Sequence, residues 1–419
     1  MNVLLISPHY PPEIRSVSVL MSQLAEDLAA RGHAVTVLAP YPPSHMDEAP
    51  GAFAPPPDAG RAVRVVRVPV LPFVKVPRAV RAVTHFTLAA SMVWYGLRAG
   101  RHDAVIVYSP PLPLALAAET LAERWGAPLV VNVQDIYPQT LIDLGLARNP
   151  VVLGVLRWLE RRAYRRASAL TVHSEGNRAL LLSRGVDAAK ISVIPNWVDT
   201  GAAPPPDPNP YRVDLALGDR VVVLFAGVMG YAQDMAVIVE AAGRLRDDPR
   251  IVFLLAGDGV RRAEAEALAS AQGLANVRFL PFQAIDRYPV LVAAADCCLV
   301  TLQAAVGTPV VPSKIAGILG QGRPVVAALP DGDARELVAR SGGGVCVAPG
   351  DAAALAAAIR ELAAHPEHRR ALGESGRRFV EAHFSRHAAT GLYAALLERL
   401  TAPGRAGIGA GAANLPKRS

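Results

Sequence analysis

The segment Asp296–Val326, DCCLVTLQAAVGTPVVPSKIAGILGQGRPVV, runs from an apolar strand through a Gly/Pro loop into a short apolar helix opened by Pro312-Ser313-Lys314. A strand-to-helix turn leaves the first helical N–H groups without intrahelical partners, and the helix dipole favours negative charge there. Ser313 is the expected capping hydroxyl, and Lys314 puts a positive charge beside those amides. The chemistry that suits this arrangement is binding of a diphosphate. An ordinary capped helix is the alternative reading, because strand-loop-helix units recur throughout α/β proteins.

Four further turns of the second half belong with it, since ligands of open α/β sheets bind outside the carboxyl ends of the strands. Gly227-Val228-Met229-Gly230 follows the apolar run Val221–Ala226, and its two glycines permit close backbone approach to a ligand. Gly257-Asp258-Gly259 follows Ile251–Ala256 and precedes Arg261 and Arg262. Pro281-Phe282-Gln283 follows Val277–Leu280, where a backbone edge can read a nucleobase. Gly342-Gly343-Gly344 is the fourth. Glycine after a strand is ordinary turn chemistry, so the order of these turns, not any one of them, is the signal.

The elements that position these turns follow from apolar runs alternating with helical patterns, which predict an α/β protein of two successive parallel sheets. The first half supplies Val3–Ser7, Ala34–Ala39, Val63–Val68, Ala104–Tyr108, Leu129–Val133, Ala169–His173 and Ile191–Ile194. The second supplies Val221–Ala226, Ile251–Ala256, Val277–Leu280, Cys297–Leu302, Pro324–Ala328 and Val345–Ala348. Between them Ala202–Pro210 is proline-rich and reads as a semi-rigid linker. At 419 residues the chain exceeds one hydrophobic core. The expected division is residues 1–200, residues 201–380, a last helical segment 381–402 and a Gly/Ala-rich disordered tail 403–419.

A hydrophobic content of 52% with 19% charged residues is that of a globular chain, not a disordered one. Cys297 and Cys298 are adjacent and Cys346 stands apart, which gives neither metal-ligand spacing nor an easy disulfide. With no signal-peptide pattern at Met1, a cytoplasmic location is expected. The stretch Val83–Leu97 is too short to span a bilayer, which takes about 20 residues. Lys75, Arg78 and Arg81 before it and Arg98, Arg101 and His102 after it make a basic, apolar surface for the inner face of a membrane one reading and a buried helix with solvated ends the other. In RWLERRAYRR, Arg157–Arg166, a solvated face with Trp158 and Leu159 turned inward is expected; Met92 and Trp94 read as packing residues. No nucleic-acid motif occurs, and 5% aromatic content offers few stacking platforms.

Over nearly its whole length the chain resembles the retaining, nucleotide-sugar-dependent family 4 glycosyltransferases, and within them capsular and colanic-acid-type exopolysaccharide enzymes. The matching residues are Pro11-Pro12-Glu13, Arg31-Gly32-His33, Ser109-Pro110-Pro111, Gln134-Asp135, Pro195-Asn196-Trp197, Gly227 with Gly230 and Gln233, Gly257-Asp258-Gly259, Pro312-Ser313-Lys314 and Gly322-Arg323-Pro324-Val325. The resemblance implies two facing Rossmann-like, doubly wound parallel-sheet domains (GT-B) with a cleft between them, and a last helix that crosses back to the first domain. It implies no metal and no cofactor, a nucleotide-sugar as substrate, and a lipid-linked sugar or glycan acceptor. Donor contacts are implied at Gly227, Met229, Gly230, Gln233, Gly257, Asp258, Gly259, Phe282, Gln283, Pro312, Ser313, Lys314 and Ile315, and acceptor contacts at Pro12, Glu13, Ser16 and Gln134. Lys314 is implied as an added charge on the leaving diphosphate. Asp135 either orients a sugar hydroxyl or caps the turn that follows it.

Three departures from the family pattern involve four positions. Gln134 stands where many members carry His, and an amide cannot do acid-base work. Pro309 and Gly317 stand where many carry acidic residues. Gln233 replaces a common basic residue, which leaves Lys314, Arg261 and Arg262 as phosphate candidates. A non-catalytic sugar-nucleotide binder and a sugar-nucleotide epimerase are the competing readings; the second would want a His and carboxylates in the cleft.

Overall fold

The computed structural model describes residues 1–13, 15–42, 63–71, 78–199, 206–284, 287–309 and 311–402. Residues 202–205 of the expected linker, the tail 403–419, Lys75 and the side chains of Arg78 and Arg81 lie outside what is described.

The first domain winds β1 (Asn2–Ile6), α1 (Ser16–Ala30), β2 (Ala34–Pro40), β3 (Val63–Val68), α2 (Arg78–Ala99), β4 (Ala104–Ser109), α3 (Pro113–Trp125), β5 (Leu129–Val133), α4 (Gln139–Asp143), α5 (Pro150–Arg166), β6 (Ala169–Val172), α6 (Glu175–Ser183) and β7 (Ile191–Val193). Its seven strands lie in the order β3-β2-β1-β4-β5-β6-β7, and every ladder is parallel. The inner strands are near-continuous buried apolar runs because helices cover both faces, whereas edge strand β3, VRVVRV, is only partly buried. On one face α2, α3 and α5 supply Leu88, Met92, Leu114, Leu121, Ala163 and Tyr164 to the core. On the other, α1 brings Met21, Leu24 and Leu28.

The second domain winds α7 (Pro210–Asp214), β8 (Val221–Ala226), α8 (Met235–Arg244), β9 (Ile251–Ala256), α9 (Arg262–Ala271), β10 (Val277–Leu280), α10 (Tyr288–Ala294), β11 (Cys297–Thr301), α11 (Ser313–Gly320), β12 (Val325–Ala328), α12 (Asp333–Ser341), β13 (Gly344–Val347), α13 (Ala352–Ala364) and α14 (Pro366–His383). The strand order is β10-β9-β8-β11-β12-β13, again all parallel. Both sheets reverse winding direction beside their first strand, at β1/β4 and β8/β11, where a doubly wound sheet opens its ligand crevice. The fold is the expected α/β pair of Rossmann-like domains.

The last helix, α15 (Arg386–Thr401), packs on α1 of the first domain. Tyr393 and Leu397 are buried among the α1 core residues, and the Tyr393 hydroxyl lies 3.1 Å from Thr171 Oγ1. Arg386 donates to Asp27 Oδ1 at 2.6 Å and to Glu26 at 2.8 Å, and Thr390 Oγ1 to Asp27 Oδ2 at 2.8 Å. Where the chain leaves and re-enters the first domain, the two passages are paired: Val198 N–H donates to the Phe384 carbonyl at 3.0 Å and Arg386 N–H to the Val198 carbonyl at 3.3 Å.

Three expectations need correction. The Gly342-Gly343-Gly344 turn precedes β13, so it sits at the amino edge of the sheet, away from the crevice; there it ends α12 and lets Gly376 of α14 approach closely. Trp94 and Trp158 both point outward, being 56% and 47% exposed, while Met92 and Leu159 hold the inward positions beside them.

Candidate active site

Strands β8 and β9 end side by side, and their turns lock together. Gly227 (φ 134°) and Gly257 (φ 148°) adopt conformations that L side chains avoid. A Cβ on Gly257 would stand 1.8 Å from the Gly227 carbonyl oxygen, so no larger residue fits. Met229 N–H donates to the Asp258 carbonyl at 2.8 Å, and Arg261 N–H to the Met229 carbonyl at 3.0 Å. Met229 is fully buried beneath the turn, and its N–H and carbonyl are both spent on these two bonds, so the donor contact implied at Met229 does not hold: the residue braces the turn instead. Gln233 Oε1 accepts the Gly230 N–H at 3.0 Å and so braces the turn.

Helix α11 points its amino end into this crevice. Pro312, not Ser313, occupies the N-cap position, with φ −57° and ψ 120°, and no side chain caps the helix. The expected capping hydroxyl is therefore absent: Ser313 is already the first helical residue and its side chain is exposed. With Ile315 N–H turned back to the Pro312 carbonyl, the amides of Ser313 and Lys314 keep no intrahelical acceptor.

Lys314 lies over the Phe225 ring, its Nζ 4.2 Å from the centroid and 3.4 Å from where a Cβ of Gly227 would stand. Among the described residues no carboxylate or carbonyl pairs with it. Burial without a counter-charge pulls its ammonium down to about 8. A desolvated cation, two free amides and a glycine turn thus converge on one spot. Arg262 is not part of it, because its guanidinium is spent on the Gly257 and Leu280 carbonyls and on Glu266. Arg261 pairs with Glu264 at 2.7 Å. At the crevice mouth Phe282 is exposed, whereas Gln283 Oε1 accepts the Tyr211 hydroxyl at 2.6 Å.

The facing wall comes from the carboxyl edge of the first sheet. Asp135, just past β5, carries no side-chain hydrogen bond among the described residues, and burial raises its carboxyl above the ordinary range. The phenols of Tyr108 and Tyr137 are raised by burial first and then by the Asp135 charge. Gln134 is fully engaged. Its Nε2 donates to Asn132 at 2.8 Å and Asn196 at 3.0 Å, and its Oε1 accepts Asn196 Nδ2 at 2.7 Å. Glu13, past β1, is buried and lies 2.8 Å from His9 Nδ1, while Pro12 and Ser16 are exposed on the same edge.

Two contacts bridge the walls. Asp143 of α4 accepts Thr308 N–H at 2.8 Å and Thr308 Oγ1 at 2.6 Å, with Gln139 holding its other oxygen at 2.7 Å. The Asp333 carboxylate, on the first turn of α12, accepts the Gly176 N–H from the first turn of α6 at 3.1 and 3.2 Å.

The family model described as a glycosyl transferase 4-like domain matches residues 17–197, and that of glycosyl transferases group 1 matches residues 210–379. The Escherichia coli (strain K12) protein WcaI, named for glycosyl transfer in colanic acid biosynthesis, is 30% identical over 91% of this chain and 97% of its own length. The chain is a family 4 glycosyltransferase. Its fold is that of a sucrose-phosphate synthase from Thermosynechococcus elongatus, at TM-score 0.77 and 22% identity over 95% of this chain and 98% of that one. Anabaena HepE, solved with UDP-glucose, superposes at TM-score 0.71 and 20% identity, covering 95% of this chain and all of the other.

In this glycosyltransferase the structure gathers Gly227, Gly230, Gly257, Gly259, Ser313 and Lys314 at one crevice, and Glu13, Gln134 and Asp135 along the opposite edge. Sequence reasoning missed Asn177, Asp143, Thr308 and Asp333, and it takes His173 for a structural or exposed histidine with no ligand cluster around it. His173 Nε2 lies 3.0 Å from the Gln134 carbonyl and 2.9 Å from Asn177 Nδ2, and burial lowers its basicity. Its Nδ1 and Asn177 Oδ1 are buried without a partner. Position was the available signal: His173 follows β6 as Asp135 follows β5. Gly317, where the family often carries an acid, faces only Val198 at 3.9 Å, so packing does not exclude a side chain there.

Proposed function

We propose that this enzyme moves a sugar from a UDP- or GDP-sugar to a lipid-linked or polysaccharide acceptor in exopolysaccharide, capsule or O-antigen synthesis, with retention of configuration and without a metal. The observation that carries the donor reading is the unpaired Lys314 ammonium beside the uncapped start of α11 and the Gly227 turn. Departure of a nucleoside diphosphate from the anomeric carbon builds negative charge on the leaving phosphate, and fixed donors that are already desolvated stabilise it most. Lys314 and the two amides supply the charge that a divalent ion would otherwise bring.

The C1–O bond to the phosphate breaks as the acceptor oxygen approaches the same face, and the departing phosphate oxygen takes the acceptor proton. No protein nucleophile is needed, which fits an amide at Gln134 locked to Asn196. Asp135, unpaired and partly covered, is suited to orient a hydroxyl. The names of WcaI and of the HepE complex favour a polysaccharide product and a UDP-sugar.

Thermal stabilisation by UDP, GDP, ADP and CDP and their sugar conjugates, with and without magnesium, tests the donor reading. A selective shift without metal supports it. Incubation of that donor with a polyprenyl-phosphate-linked sugar and NMR of the product anomer then tests transfer and retention. Binding without transfer or hydrolysis would favour the non-catalytic alternative.

A further inference from the structure

Among the described residues fifteen large apolar side chains are exposed, and eight of them fall on just two helices, α2 and α5. Both helices flank α3 on one face of the first sheet, so their outer sides belong to a single layer. Helix α5 turns Val151, Val155 and Trp158 outward at i, i+4, i+7 spacing, and α2 turns Phe86, Trp94 and Leu97 outward. Two of the four tryptophans of the chain stand in this layer with a guanidinium on the ring: Arg98 lies 4.1 Å from the Trp94 centroid and Arg162 5.6 Å from that of Trp158.

The charge on this layer has one sign. Helix α2 contains no acidic residue. The single carboxylate of α5, Glu160, is buried and held by Arg184; Glu119 of α3 is buried between Arg162 and Arg166, and Glu123 lies 3.4 Å from Arg166. Arg98, Arg101, Arg124, Arg157 and Arg161 are exposed, and no carboxylate of the described residues pairs with them. Arg101 and Arg124 also line, with Leu97 and Trp125, a cavity of about 260 Å³ at the end of α2. Its size and paired cations suit a phosphate group.

We infer that the outer layer of α2 and α5 is a docking surface for an anionic lipid bilayer: Trp94, Leu97, Val155 and Trp158 enter the interface, and the Arg101/Arg124 cavity receives a lipid phosphate. Tryptophan at the water–acyl boundary, aliphatic side chains below it and arginines at headgroup height are what such an interface selects. A second copy of the chain is disfavoured as the occupant, because symmetric pairing would set unpaired arginines against arginines. The surface lies on the helical layer of the first sheet and not at the crevice, so the inference does not rest on the proposed reaction.

The test is flotation of the full-length protein with vesicles of phosphatidylcholine alone or with about one-third phosphatidylglycerol, at 0.1 M salt. Binding to the anionic vesicles, a blue shift of tryptophan emission and release at high salt are expected. Trp158→Ser with Trp94→Ser should weaken binding at least tenfold, and each of Arg101→Gln and Arg157→Gln about fivefold. An unchanged circular-dichroism spectrum and unfolding temperature show that the variants remain folded. Inorganic phosphate that leaves flotation intact agrees with a bilayer; phosphate that abolishes it at equal ionic strength reduces the site to a free-anion pocket and overturns the inference. Equal binding to both vesicle types, no binding to either, or a dimer in light scattering that Trp158→Ser dissolves would also overturn it.

Discussion

Replacing Lys314 by Met separates what that residue does for the fold from what it does for the ligand. The fall from the ordinary value of 10.5 to about 8 reflects a charge that folding desolvates without a partner. Each tenfold change in proton affinity is about 1.4 kcal/mol, so the folded protein bears a cost of at most about 3.5 kcal/mol, or about 2 after allowance for the residue's remaining exposure. Because the folded value lies below the unfolded one, the cost is present in full below pH 8. Between pH 8 and 10.5 the unfolded chain holds more protons, and stability from this group rises with pH. Lys314→Met should therefore raise the unfolding temperature of the unliganded protein by roughly 5 °C at pH 7. The same change should weaken UDP or GDP binding about 10- to 100-fold, the scale of a charged hydrogen bond lost. Calorimetric titration from pH 7 to 9.5 provides the second readout: wild-type affinity should fall above pH 8, and the variant should lose that dependence. A variant that is destabilised, or that keeps the wild-type affinity and pH profile, would refute the assignment of Lys314 as an uncompensated cation awaiting a diphosphate.

Asp135→Asn should lower the transfer rate at least a hundredfold while nucleotide affinity stays within about twofold, if it orients a hydroxyl rather than the diphosphate; equal loss of both in steady-state and binding assays would move it to the donor pocket. Asp143→Ala removes the acceptor of both Thr308 bonds, at about 1–3 kcal/mol for the closed arrangement; small-angle scattering should show a larger radius of gyration, and the donor KM should rise. Gly257→Ala cannot keep the native turn against the Gly227 carbonyl, so the protein should lose more than about 2 kcal/mol in urea unfolding and its diphosphate binding with it.

The two sheets were legible because buried parallel strands are short, continuous apolar runs, and thirteen such runs became thirteen strands within a residue or two at their ends. The glycines at Gly227 and Gly257 were legible for the same local reason, since a turn at a strand end leaves few other residue types possible. Capping was not: Ser313 and Pro312 differ by one position, and a backbone angle at Pro312 decides which of them starts the helix. Contacts between distant segments were invisible. Nothing local in Gln134 announces Asn196, and nothing in Asp143 announces Thr308 across the crevice. The tryptophans misled because hydrophobicity was taken as burial. On a helix whose inward positions are already filled by Met92 or Leu159, the next large apolar residue can only face out.

The paired passages at Val198 and Ser385 have a mechanical consequence. A single strand between two bodies is a swivel, free to twist about its own length; two strands fastened side by side behave like a door hung on two pins. Rotation about the line joining them survives, and torsion that would slide one wall of the crevice past the other is suppressed. An opening motion about that line would return Lys314 and Asp135 to the same mutual alignment, and the helix that closes the second passage would set the accuracy of that return.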